Sequence, residues 1–243
     1  MRPIRCAIVV LAASAAVTAC SGDKKNASPA AESSAVTDTG MNTSGAPEGP
    51  ASATDRRTVL FLGTSLTAGL GLDPDSAYPQ RIQRKIDAGG LPYQSVNAGV
   101  SGETSAGLLR RLDWVLQNPA AVIVVETGAN DGLRGQPVEG TKATIGQILA
   151  RIRKERPEAR VVLAQMEAPT NLGPQYTRAF HAMFPALAAE HGVILMPFLL
   201  DGVAGRAAMN QGDGVHPNDA GERIVTETVW KTIAPLLSGA PQP

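Results

Sequence analysis

Five short apolar runs, separated by stripes at helical spacing, constrain this chain more than any other feature. They lie at residues 58–62, 93–98, 121–126, 160–166 and 193–196. Val, Ile and Leu dominate them without polar alternation, the pattern of strands covered on both faces. Apolar residues recur with a helical period at Leu108, Leu109, Leu112, Val115 and Leu116, and at Ile145, Ile148, Leu149 and Ile152. Two further stripes are Tyr176, Phe180, Met183, Phe184 and Leu187, and Ile224, Val225, Thr228, Val229 and Ile233. Each predicts a helix with one face on a sheet. This β-then-α succession with right-handed crossovers predicts an α/β fold, a three-layer αβα sandwich around a doubly wound parallel sheet of about five strands. In such sheets, sites form beyond the carboxyl ends of the strands, near the point where strand order reverses. The loops after the runs are therefore the places to search.

Composition changes where the pattern begins, since none of the nine Phe, Trp and Tyr residues precedes Phe61. Residues 1–19 read as a secretory signal peptide: Arg2 and Arg5, then small and apolar residues from Cys6 to Ala19. That run is too short to span a bilayer, which takes about 20 residues. Its end, Val17-Thr18-Ala19-Cys20, resembles the bacterial lipobox, which implies cleavage before Cys20 and a lipid on its sulfur. Val17 and Ala19 suit plain secretion too. Either cut removes Cys6, so no disulfide forms within one chain. Residues 20–57 are mostly Ala, Ser, Thr, Gly, Pro, Asp and Glu, with Val36 and Met41 the only larger apolar side chains. Such a stretch cannot offset its ordering entropy by burial and predicts a disordered linker. The expected plan is signal peptide 1–19, lipidated Cys20 and linker 20–57, folded domain 58–238 and tail 239–243. With 22 basic against 22 acidic residues and no block of either sign, the chain lacks the footprint of a nucleic-acid binder.

The loop after the first run is Gly63-Thr64-Ser65-Leu66-Thr67-Ala68-Gly69. A serine leaving a buried strand among small residues can present its hydroxyl at the sheet's edge, and a plain Gly/Ser turn reads equally well. The loop is not a G-x-S-x-G nucleophile elbow, because Thr67 stands at the second glycine. It lacks the Gly-Lys pair of a phosphate loop, and Pro74 stands where a dinucleotide fingerprint beginning at Gly69 needs its third glycine. After the second run, Gly102 lies just before a helix, where its N–H can face the same crevice with no Cβ in the way. A turn glycine is an equal reading. After the third, Asn130 in Thr127-Gly128-Ala129-Asn130-Asp131 can aim its amide at a developing oxyanion, or cap the following turn.

The last loop, Asp213-Gly214-Val215-His216-Pro217, puts a carboxylate three residues before an imidazole. With Gly214 allowing a bend, the acid can fold back onto Nδ1 and leave Nε2 free, as a serine's general base requires. Of the other histidines, His181 lies within a helical stripe and His191 at a helix end before Gly192, which are ordinary places. No second histidine or thiolate stands at ligand spacing from Asp213 and His216, so no metal is expected.

In this order the four loops resemble the four blocks of the SGNH hydrolases, also called GDSL esterases and lipases. The family's serine, glycine, asparagine and histidine fall on Ser65, Gly102, Asn130 and His216. Val96-Asn97-Ala98, Ser101-Gly102-Glu103-Thr104-Ser105, Gly128-Ala129-Asn130-Asp131-Gly132-Leu133-Arg134-Gly135 and Asp213-Gly214-Val215-His216-Pro217-Asn218 are similar to the bacterial arylesterase and multifunctional thioesterase/lysophospholipase branch. The resemblance implies a flavodoxin-like fold, no cofactor, a triad of Ser65, His216 and Asp213, and an oxyanion hole of the Ser65 and Gly102 N–H groups with the Asn130 amide. It also implies two-step hydrolysis of carboxylic esters: short to medium acyl chains, aryl esters, lysophospholipids or thioesters. Acyl-CoA is cytoplasmic, so an exported enzyme would meet it only in vitro.

The expected partners are a small ester or lipid substrate and, through Cys20, a membrane, with the chain a monomer on the periplasmic side. Ser21 rather than aspartate after Cys20 points to the outer membrane in a Gram-negative cell. Two alternatives are an O-acetylesterase for envelope polysaccharide or peptidoglycan and a non-catalytic envelope-binding lipoprotein. One departure stands out: the family's first block carries aspartate where this chain has Thr64, which implies altered hydrogen bonding in the loop with the triad intact. Residues 133–141, with Gly135, Pro137 and Gly140, resemble a loop that moves over the acyl chain. A bland connector fits them equally.

Overall fold

The computed structural model describes residues 56–239. The expected signal peptide, Cys20, the linker up to Asp55 and the tail beyond Gly239 lie outside the described residues. Five strands form the sheet: β1 (Arg57–Gly63), β2 (Tyr93–Gly99), β3 (Val122–Val125), β4 (Arg160–Ala164) and β5 (Ile194–Met196). All pair in parallel, in the order β2-β1-β3-β4-β5. That is the doubly wound order of the flavodoxin type, reversing between β1 and β3.

The helices are α1 (Ser65–Ala68), α2 (Tyr78–Ala88), α3 (Ser105–Val115), α4 (Ala129–Leu133), α5 (Val138–Glu155), α6 (Pro174–His191) and α7 (Asp219–Leu237). The chain moves one way along the sheet after β1 and the other way after β2, so right-handed crossovers place their helices on opposite faces. Accordingly α5 packs between α3 and α6, whereas α2 packs on α7. This is the three-layer sandwich expected from the sequence.

Central strands bury both faces, with Val59, Leu60, Phe61 and Leu62 of β1 and all of β3 inside. The edge strand β2 departs from that expectation, because Gln94 and Val96 are exposed and only Tyr93 is fully buried. An edge strand has a neighbour on one side only, and its polar residues remain in reach of water. β1 begins at Arg57, one residue before the apolar run, where the guanidinium donates to the Tyr93 hydroxyl at 2.9 Å.

All four predicted stripes are helices. Ile145, Ile148, Leu149 and Ile152 are completely buried, so truncating one of them to alanine costs about 2–5 kcal/mol. The inward face of α7 is rotated from the expected one: Glu222 and Thr226 join Val225, Val229 and Ile233, while Ile224 and Thr228 are half-buried at its flank. α2 has too few apolar residues to show as a stripe. Its Tyr78, Ile82 and Ile86 are nevertheless buried, and Tyr78 meets Phe61 edge-on at 5.5 Å.

Candidate active site

Strand ends place the chemistry. β1 delivers Ser65 as the first residue of α1, so its N–H has no acceptor within that helix. β2 leads to Gly102, β3 to Asn130 in the short helix α4, and the loop before α7 carries Asp213 and His216. Ser65, Gly102, Asn130 and His216 all line one cleft of about 640 Å³.

The loop before α7 is shaped by its own acid. Asp213 Oδ1 accepts from the N–H groups of Val215 at 2.9 Å and His216 at 3.0 Å, a bend completed by Gly214 at φ +70°. Its Oδ2 lies 2.6 Å from His216 Nδ1, and His216 Nε2 lies 2.8 Å from Ser65 Oγ. The backbone N–H and then the imidazole of His216, with the N–H of Val215, hold the Asp213 carboxyl well below the usual carboxylate range. The acid therefore stays an acceptor, the imidazole keeps its proton on Nδ1, and Nε2 is free to take one from the serine. Gln211 ties this loop to the serine loop, donating from Nε2 to Leu70 O at 2.7 Å and Pro217 O at 2.9 Å.

On the opposite wall, the Asn130 amide gives one hydrogen to Glu103 O at 3.0 Å, which leaves the other for the cleft. Asp131, buried beside it, accepts from Ser105 N–H at 2.8 Å and Ser105 Oγ at 2.6 Å, locking α4 to the start of α3. Arg111 braces the same loop through Glu103 at 2.7 Å and Ala98 O at 2.8 Å. Gly102 is needed for its φ of +76° rather than for room, because a Cβ there would meet only Arg134, at 3.9 Å.

The segment at 133–141 is not a loop of that length. α4 ends at Leu133 and α5 begins at Val138, leaving a four-residue connector started on its helix by Pro137. It is pinned by Gln136 N–H on Asp131 O at 3.0 Å, Tyr176 hydroxyl on Gln136 O at 2.6 Å and Arg134 on Gly102 O at 2.9 Å.

Thr64 bonds to the residue that follows β3. Its N–H donates to Glu126 at 2.7 Å and its hydroxyl at 2.9 Å. Glu126 and Thr67 are site residues that the sequence reading missed, although a carboxylate ending an otherwise apolar strand run was a visible signal. Glu167 is another: it lines the cleft and lies 2.7 Å from His181, the histidine set aside as ordinary. Among the described residues no group of three or more His, Cys, Asp or Glu could hold a metal ion.

Residues 61–224 match the GDSL-like lipase/acylhydrolase family. The chain belongs to that family. Among its relatives, esterase TesA of Pseudomonas aeruginosa is 39% identical over 182 residues, covering 74% of this chain and 90% of that protein. The thioesterase 1/protease 1/lysophospholipase L1 of Escherichia coli is 36% identical over 74% of this chain and 85% of its own. The structure of the psychrotrophic esterase EstA from Pseudoalteromonas, inhibited by monoethylphosphonate, superposes with a TM-score of 0.71 at 32% identity, over 75% of this chain and all of that one. As a GDSL acylhydrolase, the protein is a carboxylic ester hydrolase.

Proposed function

We propose that Ser65 is the nucleophile of this GDSL hydrolase, His216 its general base and Asp213 the group that orients the imidazole. His216 Nε2 takes the hydroxyl proton as Ser65 Oγ attacks the ester carbonyl. The tetrahedral oxyanion is held by the Ser65 and Gly102 N–H groups and the free hydrogen of the Asn130 amide. Collapse breaks the ester C–O bond, the leaving oxygen takes the proton from His216, and water repeats the sequence on the acyl-enzyme. The observation that carries this reading is the relay from Asp213 to His216 at 2.6 Å and on to Ser65 at 2.8 Å, at the edge of a cleft with room for a substrate.

The cleft also supports a substrate class. Leu70, Leu133, Met166, Phe198, Leu200 and Val215 provide apolar wall. Glu167 is the lining carboxylate, and no lysine or arginine is among the lining residues. Neutral esters with an apolar acyl or aryl group suit such a surface. On this reading the natural substrates are carboxylic esters of modest chain length, aryl esters or lysophospholipids. Cys20 and the leading segment support export, with a lipid anchor holding the enzyme as a monomer at the periplasmic side of a membrane.

Hydrolysis of p-nitrophenyl acetate, butyrate and octanoate by the full chain, beside Ser65→Ala, tests the assignment. Loss of kcat by about 10⁴-fold or more in the variant is expected. Undiminished hydrolysis would remove Ser65 from the mechanism. The mass of the native amino terminus tests the anchor, since an unmodified Cys20 contradicts it.

A further inference from the structure

One buried acid at the site takes no part in the acyl-transfer steps. Glu126, just beyond the end of β3, is completely buried. A buried carboxylate is costly unless it is hydrogen-bonded, and this one is met by the turn that carries Ser65. Thr64 gives it an N–H at 2.7 Å and a hydroxyl at 2.9 and 3.0 Å, and Thr67 gives a hydroxyl at 2.9 Å.

The proton directions follow from the donors available. Thr67 has a single hydroxyl hydrogen; with that hydrogen on Glu126, the Tyr78 hydroxyl, 2.7 Å from Thr67 Oγ1, is placed to donate to Thr67. In that arrangement Tyr78, Thr67 and Thr64 all point their hydrogens inward, and the set suits a carboxylate as acceptor. Burial, the larger effect, raises the Glu126 carboxyl above its ordinary value, and the hydrogen bonds from Thr64 and Thr67 oppose it. Contact is tight: a Cβ on Gly63 would lie 1.9 Å from Thr67 Oγ1 and 2.7 Å from Glu126 Oε2.

We propose that Glu126 is a positioning residue for the nucleophile, a buried carboxylate that grips Thr64 by its N–H and its hydroxyl together. Holding both groups of one residue fixes the direction of the next peptide. The N–H of that peptide, on Ser65, faces the oxyanion, and the Cα beyond it bears the side chain with the attacking oxygen. The inference rests on the reading of Ser65 as nucleophile. Thr64 serves this role with two donors, its N–H and its hydroxyl.

A positioning role and a merely structural one separate in the kinetics. Glu126→Gln keeps the shape, removes a buried charge and turns one acceptor into a donor facing other donors. A misplaced nucleophile lowers kcat without changing ground-state binding. Glu126→Gln is expected to lower kcat on p-nitrophenyl butyrate by about 100-fold, with KM within about twofold and an equal fall in the rate of inactivation by a fluorophosphonate. Its unfolding midpoint should fall by no more than about 10 °C, the loss expected from one unpaired buried donor in a fold that otherwise stays intact. Thr64→Val should cost about tenfold in kcat alone, and little more when added to Glu126→Gln, because the two act as one unit.

A Glu126→Gln enzyme with kcat within about threefold of the parent overturns the proposal. So do additive losses in the double variant, or losses of kcat that come with a raised KM and an unfolding midpoint lowered by more than about 10 °C in both single variants. Should Glu126→Gln fail to fold, Thr64→Val and Thr67→Val decide: lowered kcat at constant KM supports the role, and unchanged kcat overturns it. An active Ser65→Ala would instead overturn the nucleophile reading itself, so the two failures are distinguishable.

Discussion

Two carboxylates flank Ser65, and the protein treats them in opposite ways. Asp213 sits on a surface loop with its side chain 48% exposed, while Glu126 lies beneath the nucleophile turn with no exposure. Asp213 is held by N–H groups two and three residues along its own loop. Glu126 is held by residues 59 and 62 positions away. The proton affinity of the first is pushed down by local donors, and that of the second is pushed up by burial. An acid that orients an imidazole can remain in water, because its own turn keeps it ionised and aimed. An acid that fixes a backbone must sit under that backbone, and the fold has to bury it.

The comparison breaks first at Asp213. Asp213→Asn should lower kcat by about 10³- to 10⁴-fold, since an amide supports the wrong tautomer of His216. A loss under about tenfold would mean that the loop alone orients the imidazole. Because Asp213 stays ionised through the range where carboxylates ordinarily take up a proton, its contribution should persist in mild acid. A kcat step near pH 4 that disappears in Asp213→Asn would contradict that. Next in size, Asn130→Ala should cost about 10²- to 10³-fold in kcat, as for a single oxyanion donor, with the unfolding midpoint little changed. A rise in KM at constant kcat would make Asn130 a ground-state binding group instead.

The smallest expected effect concerns a third carboxyl and sharpens the lesson about burial. Glu222 on α7 is buried against α2, facing the Tyr78 N–H, Arg81 and Asp219, and its Oε2 has no hydrogen-bond partner. Burial pushes its carboxyl up to about 8. A folded value above the unfolded one means that the native state holds the extra proton. The stability it brings is complete below the unfolded value and is lost as pH rises toward 8. The unfolding midpoint should fall by about 10 °C between pH 5 and pH 8.5, and Glu222→Gln should flatten that slope. An equal slope in the variant would assign the dependence to other groups.

Local patterns were legible in the sequence and long-range ones were not. The five runs and four stripes imply the sheet and its covering helices because each is a contiguous periodicity. Asp213 and His216 could be paired from a spacing of three. The edge position of β2 could not be read, since strand order is decided by where chains meet. Nor could α2, whose few buried residues, Tyr78, Pro79, Ile82 and Ile86, stand among charged and polar ones. Glu126 looked like the last residue of a strand, because Thr64 and Thr67, which accommodate its charge, come from another loop. Residues 133–141 left two readings open through Gly135 and Gly140, and the loop is shorter than that span because α5 starts after Pro137.

Covalent trapping tests the central claim most directly. The full chain, treated with a fluorophosphonate until hydrolysis of p-nitrophenyl butyrate stops, would be digested and its peptides weighed. The account predicts one phosphonyl group per chain, on Ser65, at a rate lowered in parallel with kcat in Glu126→Gln. An inactivated enzyme labelled elsewhere, or hydrolysis that continues with Ser65 fully labelled, would contradict it.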